Sequence, residues 1–140
     1  MIDVVSALDY YSKYSTCDRG RVACVILSED KEDILEYGYA HSLMTNKLCD
    51  THGHELNDGS CVRTIHAEQS AVARAACNGI RLCNGYAYVN KIPCKSCMRV
   101  LHEAGIQSVT VYTTSAHTTR LDSIAEYANI LGLKFECHVV

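Results

Sequence analysis

Two short segments of the chain contain residues that can hold a metal ion and carry a proton. The first reads H-A-E at positions 66–68, and the second reads P-C-K-S-C at positions 93–97. One histidine and two cysteines are ligands that Zn²⁺ favours, and they leave a fourth position open. Structural zinc sites usually have four protein ligands, whereas catalytic sites keep one position for water. The pattern therefore predicts a catalytic zinc held by His66, Cys94 and Cys97.

Glu68 lies two positions after His66 and is the natural proton carrier for that water. Zinc lowers the pKa of bound water from about 15.7 toward about 7, so hydroxide is available at neutral pH. Hydroxide can attack the amidine carbon of an aminopyrimidine while Glu68 moves the proton to the ring nitrogen and helps ammonia depart. Such acid–base help is worth about 10²–10⁴-fold in rate. H-x-E with P-C-x-x-C is the signature of zinc nucleobase deaminases. The alternative, a closed structural site with a fourth ligand elsewhere, leaves Glu68 and Pro93 unexplained.

The hydrophobic pattern predicts alternating strands and helices, which favours a three-layer α/β domain. The predicted helices are an N-terminal one to about Ser15, 64–77, 94–104 and 121–131, and the predicted strands are 21–27, 34–40, 86–90, 108–113 and 133–140. His66 and Glu68 then fall in the first turn of one helix, and Cys94 begins another. Both helix N-termini carry partial positive charge, which favours thiolates, and can meet at one sheet edge. Residues 41–60 show no clear period, which indicates a functional loop.

The composition indicates one domain, 1–140, that can bury a core. The chain is 48% hydrophobic and 21% charged, so it is not a disordered chain. The first residues lack a basic segment and a long apolar run, so no signal peptide or membrane association is expected. A net charge of −3 argues against nucleic acid as the main partner. Nine cysteines, an odd number, favour reduced thiols and metal ligands in a cytoplasmic protein.

The sequence around both motifs resembles the deoxycytidylate (dCMP) deaminase family. The similar segments are 61–69 (C-V-R-T-I-H-A-E-Q) and 98–106 (M-R-V-L-H-E-A-G-I), and 15–19 with Val22 also fits. The resemblance implies the cytidine deaminase-like fold, a central five-stranded mixed sheet flanked by helices. It also implies a homo-oligomer, often a hexamer. The implied reaction is zinc-dependent hydrolysis of dCMP to dUMP and ammonia, which feeds thymidylate synthesis under allosteric control by dCTP.

Two segments depart from the family pattern. Where the family usually has Gly-Tyr-Asn-Gly after its second strand, this chain has G-Y-A-H at 38–41, and 42–47 lacks the expected glycines. The family's asparagine helps to hold the sugar, whereas Ala40 cannot; His41 can supply a donor from the next position. Before Pro93 the chain reads Y-V-N-K-I, where the family favours threonine and a polar residue. We therefore expect dCMP or a 5-substituted dCMP as substrate, with loose sugar discrimination and an altered dCTP response.

The resemblance also implies a second, structural zinc near the long loop, because many family members carry one. Cys49, His54 and Cys61 fall where such members have cysteine or histidine, and Cys17 is a candidate fourth ligand. Four N and S ligands form a closed tetrahedral site. His52 competes with His54 for its role. The alternative is a set of free thiols and surface histidines.

Several residues near the motifs are candidates for substrate contact, besides His41. Ala67 lies between the proposed ligand and the proposed acid. Arg63, Lys47 and Lys91 are basic and can meet a phosphate, although a solvated surface charge is the alternative for each. Tyr112 lies in the strand that follows the second zinc helix and can stack on a base, unless it packs in the core.

Other functions remain compatible with the motifs. A deaminase of dCTP, cytidine or cytosine would use the same metal chemistry. A polynucleotide-editing deaminase shares both motifs, but the net charge counts against it. A zinc-binding module without catalysis is a third class, and the intact Glu68 counts against that. Rates over a panel of nucleotides, nucleosides and bases would separate these functions.

Overall fold

The computed structural model describes residues 1–16, 20–43, 56–57, 60–61, 64–115 and 118–140. Its elements, in chain order, are α1 (Val4–Ser12), β1 (Ala23–Leu27), β2 (Ile34–Tyr39), β3 (His41–Ser42), β4 (Leu56–Asn57), β5 (Ser60–Cys61), β6 (Thr64–Ile65), α2 (Ala67–Asn78), β7 (Tyr86–Val89), α3 (Lys95–Glu103), β8 (Ser108–Thr113), α4 (Thr118–Leu131) and β9 (Lys134–Val139). Among the described helices, none has both the length and the apolar character needed to cross a bilayer.

Five strands form a mixed sheet in the order β2-β1-β7-β8-β9. Strand β1 runs antiparallel to β2 and β7, while β7, β8 and β9 run parallel to one another. Helices α2, α3 and α4 pack on one face of the sheet, and α1 packs on the other. All five residues of β1 are buried, which explains its continuous apolar sequence. This arrangement confirms the predicted three-layer fold with a five-stranded mixed sheet.

The predicted helix over 64–77 begins later than expected, at Ala67. Thr64 and Ile65 instead form β6, which pairs antiparallel with β3, so Ile65 lies opposite His41. β-Branched residues suit a strand, and this strand partner is distant in sequence. The predicted helix ends are correct, because Gly79, Gly105 and Gly132 all adopt positive φ angles, of 68°, 87° and 73°.

Within the long loop predicted over 41–60, the structure describes only short antiparallel pairs. Strand β3 pairs with β6, and β4 pairs with β5. The remainder of that predicted loop, with Cys49, His52 and His54, lies outside the described residues. What the structure adds is the pairing of β3 with β6, which places His41 beside the strand that leads into the first motif.

Candidate metal centre and nucleotide site

His66 is held at the junction between β6 and α2. It is the N-cap residue of α2, with extended backbone angles of φ −71° and ψ 151°. Its backbone N–H donates to Gln69 Oε1 at 3.2 Å, which satisfies a donor at the helix start. His66 was expected in the first helical turn, but it lies one residue before the helix, at the N-cap. The pairing of β6 before it and the hydrogen bond to Gln69 after it together fix the backbone from which its ring projects.

Cys94 and Cys97 lie one turn apart at the start of α3. Cys94 is the N-cap residue, and its Sγ accepts a hydrogen bond from the backbone N–H of Cys97 at 3.4 Å. Capping by a thiolate sulfur suits a helix N-terminus, where the helix dipole favours negative charge. The Cys97 side chain is buried. Both sulfur atoms therefore face the same point from one short segment.

The three predicted ligands converge. His66 Nδ1 lies 3.2 Å from Cys97 Sγ and 3.5 Å from Cys94 Sγ. The three ligand atoms all lie within 4.8 Å of one another, and no other group of this kind occurs among the described residues. One imidazole nitrogen and two sulfurs are a donor set that fits Zn²⁺ with one position left open. The chain therefore has a zinc-binding group at the edge where α2 and α3 begin.

Hydrogen bonding within this cluster separates the pKa values of the two thiols. The pKa of Cys94 is lowered to about 3, first by the hydrogen bond from the Cys97 thiol and then by the one from His66. The pKa of Cys97 is raised by the same bond to Cys94 and by burial. The pKa of His66 is raised, mainly by its hydrogen bond to Cys94. Zinc ligands must be deprotonated, so both thiols would hold the metal as thiolates, and the lowered pKa of Cys94 favours that form.

Glu68 is buried beside the cluster, with 4% of its surface exposed. Burial raises the pKa of its carboxyl group, while a hydrogen bond with Cys97 and the charge of His66 act in the opposite direction. A carboxyl group with a raised pKa can accept and return a proton near neutral pH. Glu68 is the second residue of α2, and His66 is the N-cap of the same helix. The helix start therefore fixes the backbone positions of both residues relative to each other.

The other predicted site residues fall in three places. Ala67 is buried at the start of α2, and His41 lies opposite Ile65 on β3. Tyr112 lies on the α1 side of the sheet, stacked between Tyr88 and His138 at centroid distances of 6.3 and 5.3 Å. The structure therefore does not bring Tyr112 into the metal cluster. Outside the described side chains are the remaining predicted residues, Cys17, Cys49, His54, Cys61, Arg63 and Lys47.

A pocket of about 580 Å³ lies between α1 and the ends of β7 and β8, and sequence reasoning found only part of it. Lys91, Arg21 and Arg120 line it, together with Thr114 and Ser115. Lys91 was predicted as a candidate phosphate contact. Arg120 was missed, because an exposed arginine on a helix gives no sequence signal of its own. Asp9 lines the pocket as well, so the three basic side chains outnumber the acidic one, and the balance favours an anionic group.

Known proteins that are similar to this chain include zinc-binding deaminases, which agrees with the metal-binding group described above. The family model for the cytidine and deoxycytidylate deaminase zinc-binding region matches residues 3–113. ComE operon protein 2 of Bacillus subtilis (strain 168) is 32% identical over 95 residues, which cover 68% of this chain and 49% of that protein. The chain therefore spans about half the length of this curated relative.

Solved structures share the fold at low identity. A dCMP deaminase from the cyanophage S-TIM5, in complex with dCMP and dUMP, has a TM-score of 0.74 and 22% identity over 99% of both chains. A diaminohydroxyphosphoribosylaminopyrimidine deaminase/reductase of Thermotoga maritima has a TM-score of 0.63 and 17% identity over 96% of this chain and 35% of that one. The fold of the present chain is thus that of the cytidine deaminase-like proteins.

Proposed function

We propose that this chain, which belongs to the cytidine and deoxycytidylate deaminase family, removes the 4-amino group of dCMP or a 5-substituted dCMP by hydrolysis. The products are dUMP, or its 5-substituted form, and ammonia. The observation that carries the proposal is the burial of Glu68 against the converged His66, Cys94 and Cys97 side chains. A purely structural zinc site gives no reason to bury an acid that is not a ligand.

The chain's own residues supply the proton transfers. His66, Cys94 and Cys97 would hold Zn²⁺, and the bound ion supplies water activated for attack at neutral pH. Glu68 accepts a proton from that water and delivers it to the pyrimidine N3. It then helps a second proton reach the amino group, so that ammonia leaves and the ring keeps a carbonyl oxygen. Burial favours this role, because a raised pKa keeps the carboxyl group able to carry a proton near neutral pH.

The basic pocket supports a phosphorylated substrate. The hydrogen bond to Cys94 raises the pKa of His66, and the positive charge of Lys91 acts in the opposite direction. Lys91 therefore influences the metal cluster as well as lining the pocket. Arg120 and Lys91 both line the pocket, together with the residues Thr114 and Ser115 that connect β8 to α4. A phosphate bound there would be held by charge-assisted hydrogen bonds. The S-TIM5 enzyme, crystallised with dCMP and dUMP, is similar to this chain in fold and makes a nucleotide the natural candidate.

The proposal has further parts. A second, structural zinc held by Cys17, Cys49, His54 and Cys61 remains a prediction, as do a homo-oligomer, a dCTP response, a single domain and a cytoplasmic location. Among other substrates, dCTP, cytidine and cytosine would need the same metal group but a different use of the basic pocket. The net charge of −3 counts against a polynucleotide-editing deaminase. The presence of Glu68 counts against a zinc-binding module without catalysis.

A direct test uses the purified protein with one dCMP concentration and two metal states. Zinc-loaded protein should convert dCMP to dUMP and release one ammonia per dUMP, as measured by chromatography and an ammonia assay. Metal-stripped protein should be inactive and regain activity with added Zn²⁺. Loaded protein that leaves dCMP unchanged would contradict the proposed function.

A further inference from the structure

Asn90 ties the segment that carries both cysteines to the start of β1. Its side-chain Oδ1 accepts a hydrogen bond from the Ala23 backbone N–H at 2.9 Å, and its Nδ2 donates to the Arg21 carbonyl at 2.9 Å. The backbone pairing of β1 with β7 ends where Cys24 lies opposite Val89. Beyond the last backbone pair, the side-chain carboxamide of Asn90 therefore supplies the hydrogen bonds that join the end of β7 to the start of β1.

The same stretch, residues 21–23, also holds the segment that leads to the histidine. The carbonyl of Val22 accepts a hydrogen bond from the Ala40 backbone N–H at 3.0 Å. The next residue, His41, lies opposite Ile65, and Ile65 directly precedes the metal-binding histidine. Residues 21–23 thus hydrogen-bond to the segment that precedes Cys94, through Asn90, and to the segment that precedes His66, through Ala40.

We propose that Asn90 is a positioning residue for the metal site, which sets the place of Cys94 and Cys97 relative to His66. Between Asn90 and Cys94 the chain is short and stiff, because Ile92 is buried and Pro93 has a fixed φ. A shift at Asn90 is therefore passed on to the start of α3. Supporting bonds behind metal ligands typically change metal affinity by about 10–100-fold.

The test compares N90D with a matched control, Q107E. N90D keeps the acceptor for Ala23 but places a carboxylate oxygen against the Arg21 carbonyl, where a donor is needed. Gln107 also donates its amide to a carbonyl, that of Asn84, at 2.6 Å, but before β8 and thus at the opposite end of the parallel strands. Both substitutions replace a carboxamide by a carboxylate beside a backbone carbonyl.

The readouts require no substrate, so this test stands apart from the proposed deaminase activity. We expect N90D to weaken Zn²⁺ binding by about 10–100-fold, measured by chelator competition, and to shift the thiolate-to-metal absorption bands of the cobalt-substituted protein. The Q107E protein should keep the zinc affinity and the cobalt spectrum of the unsubstituted protein.

Unchanged zinc affinity and cobalt spectrum in folded N90D would overturn the assignment, even if its melting temperature fell, because Asn90 would then be a stabilising residue alone. N90S provides a second variant if N90D does not fold, since a hydroxyl can replace only one of the two bonds. A folded N90S with full zinc affinity and an unchanged cobalt spectrum would overturn the assignment equally.

Discussion

Gly38 of β2 lies so close to Ala71 of α2 that a Cβ atom on Gly38 would come within 2.9 Å of the Ala71 Cα. The same Cβ would also meet the backbone nitrogen of Ala71 and the carbonyl of Ala67. Real Cβ atoms do not approach backbone atoms this closely, so the helix would have to move. Since His66 and Glu68 belong to the first turn of that helix and its cap, Gly38 sets the depth at which both functional groups lie.

We expect G38A to destabilise the protein by about 1–3 kcal/mol through overpacking, and to weaken zinc binding as well. Thermal or urea unfolding and chelator competition measure the two effects. G132A is the control: Gly132 has φ 73°, with no heavy atom within 4 Å of an added Cβ. The control should lose about 1–2 kcal/mol from backbone strain and keep its zinc affinity. Equal zinc affinities in the two variants would show that Gly38 does not position α2.

We predict that E68Q retains zinc but loses about 10²–10⁴-fold in kcat, because the amide cannot carry the proton. Metal analysis of the purified variant and steady-state rates on dCMP provide the measurement. C94S is the comparison and should lose zinc, since it removes a ligand. Zinc loss in E68Q, or a kcat near that of the unsubstituted protein, would show that Glu68 is not the proton carrier.

More than one zinc per chain is expected, from the predicted set Cys17, Cys49, His54 and Cys61. The measurement is metal content per chain in the C94S/C97S variant, which lacks two ligands of the proposed catalytic site. One zinc should remain there, and C49S should lower the melting temperature more than it changes kcat, because a structural zinc stabilises the fold directly. A content near zero in C94S/C97S would remove the second site.

The basic pocket should set the affinity for the substrate phosphate. K91A/R120A is expected to raise KM for dCMP by about a hundredfold, with kcat less affected, because each of the two charged hydrogen bonds contributes about 1.5 kcal/mol or more. R99A/K134A, which removes the same charge from exposed residues outside the pocket, is the control. If both pairs of substitutions change KM equally, the pocket does not bind the phosphate.

The metal group could be predicted from the sequence because the spacing within each motif is a local property. Cys94 and Cys97 are one helical turn apart in any helix that begins at this point. The same holds for the pairing of His66 with Glu68 at one helix start. Strand and helix order followed from hydrophobic period and from glycines at helix ends.

Features that depend on partners distant in sequence could not be predicted. Thr64 and Ile65 continue the helical pattern of α2, but pairing with β3 makes them a strand. Tyr112 lies in the expected strand, but the face of the sheet that its side chain occupies depends on register: it lies on the α1 face, where it lines the basic pocket. Lys91 follows β7 and Arg120 follows β8, and both line one pocket because these two strands are parallel neighbours in the sheet.

The substrate preference of the zinc-loaded protein is measured by kcat/KM on dCMP, 5-methyl-dCMP, CMP, dCTP, deoxycytidine and cytosine. We predict that dCMP or 5-methyl-dCMP gives the highest value, with CMP within a small factor because Ala40 replaces the sugar-holding asparagine. The value for deoxycytidine should be lower by about a hundredfold, as expected for two lost charged hydrogen bonds. A higher value for deoxycytidine or cytosine than for either monophosphate would contradict it.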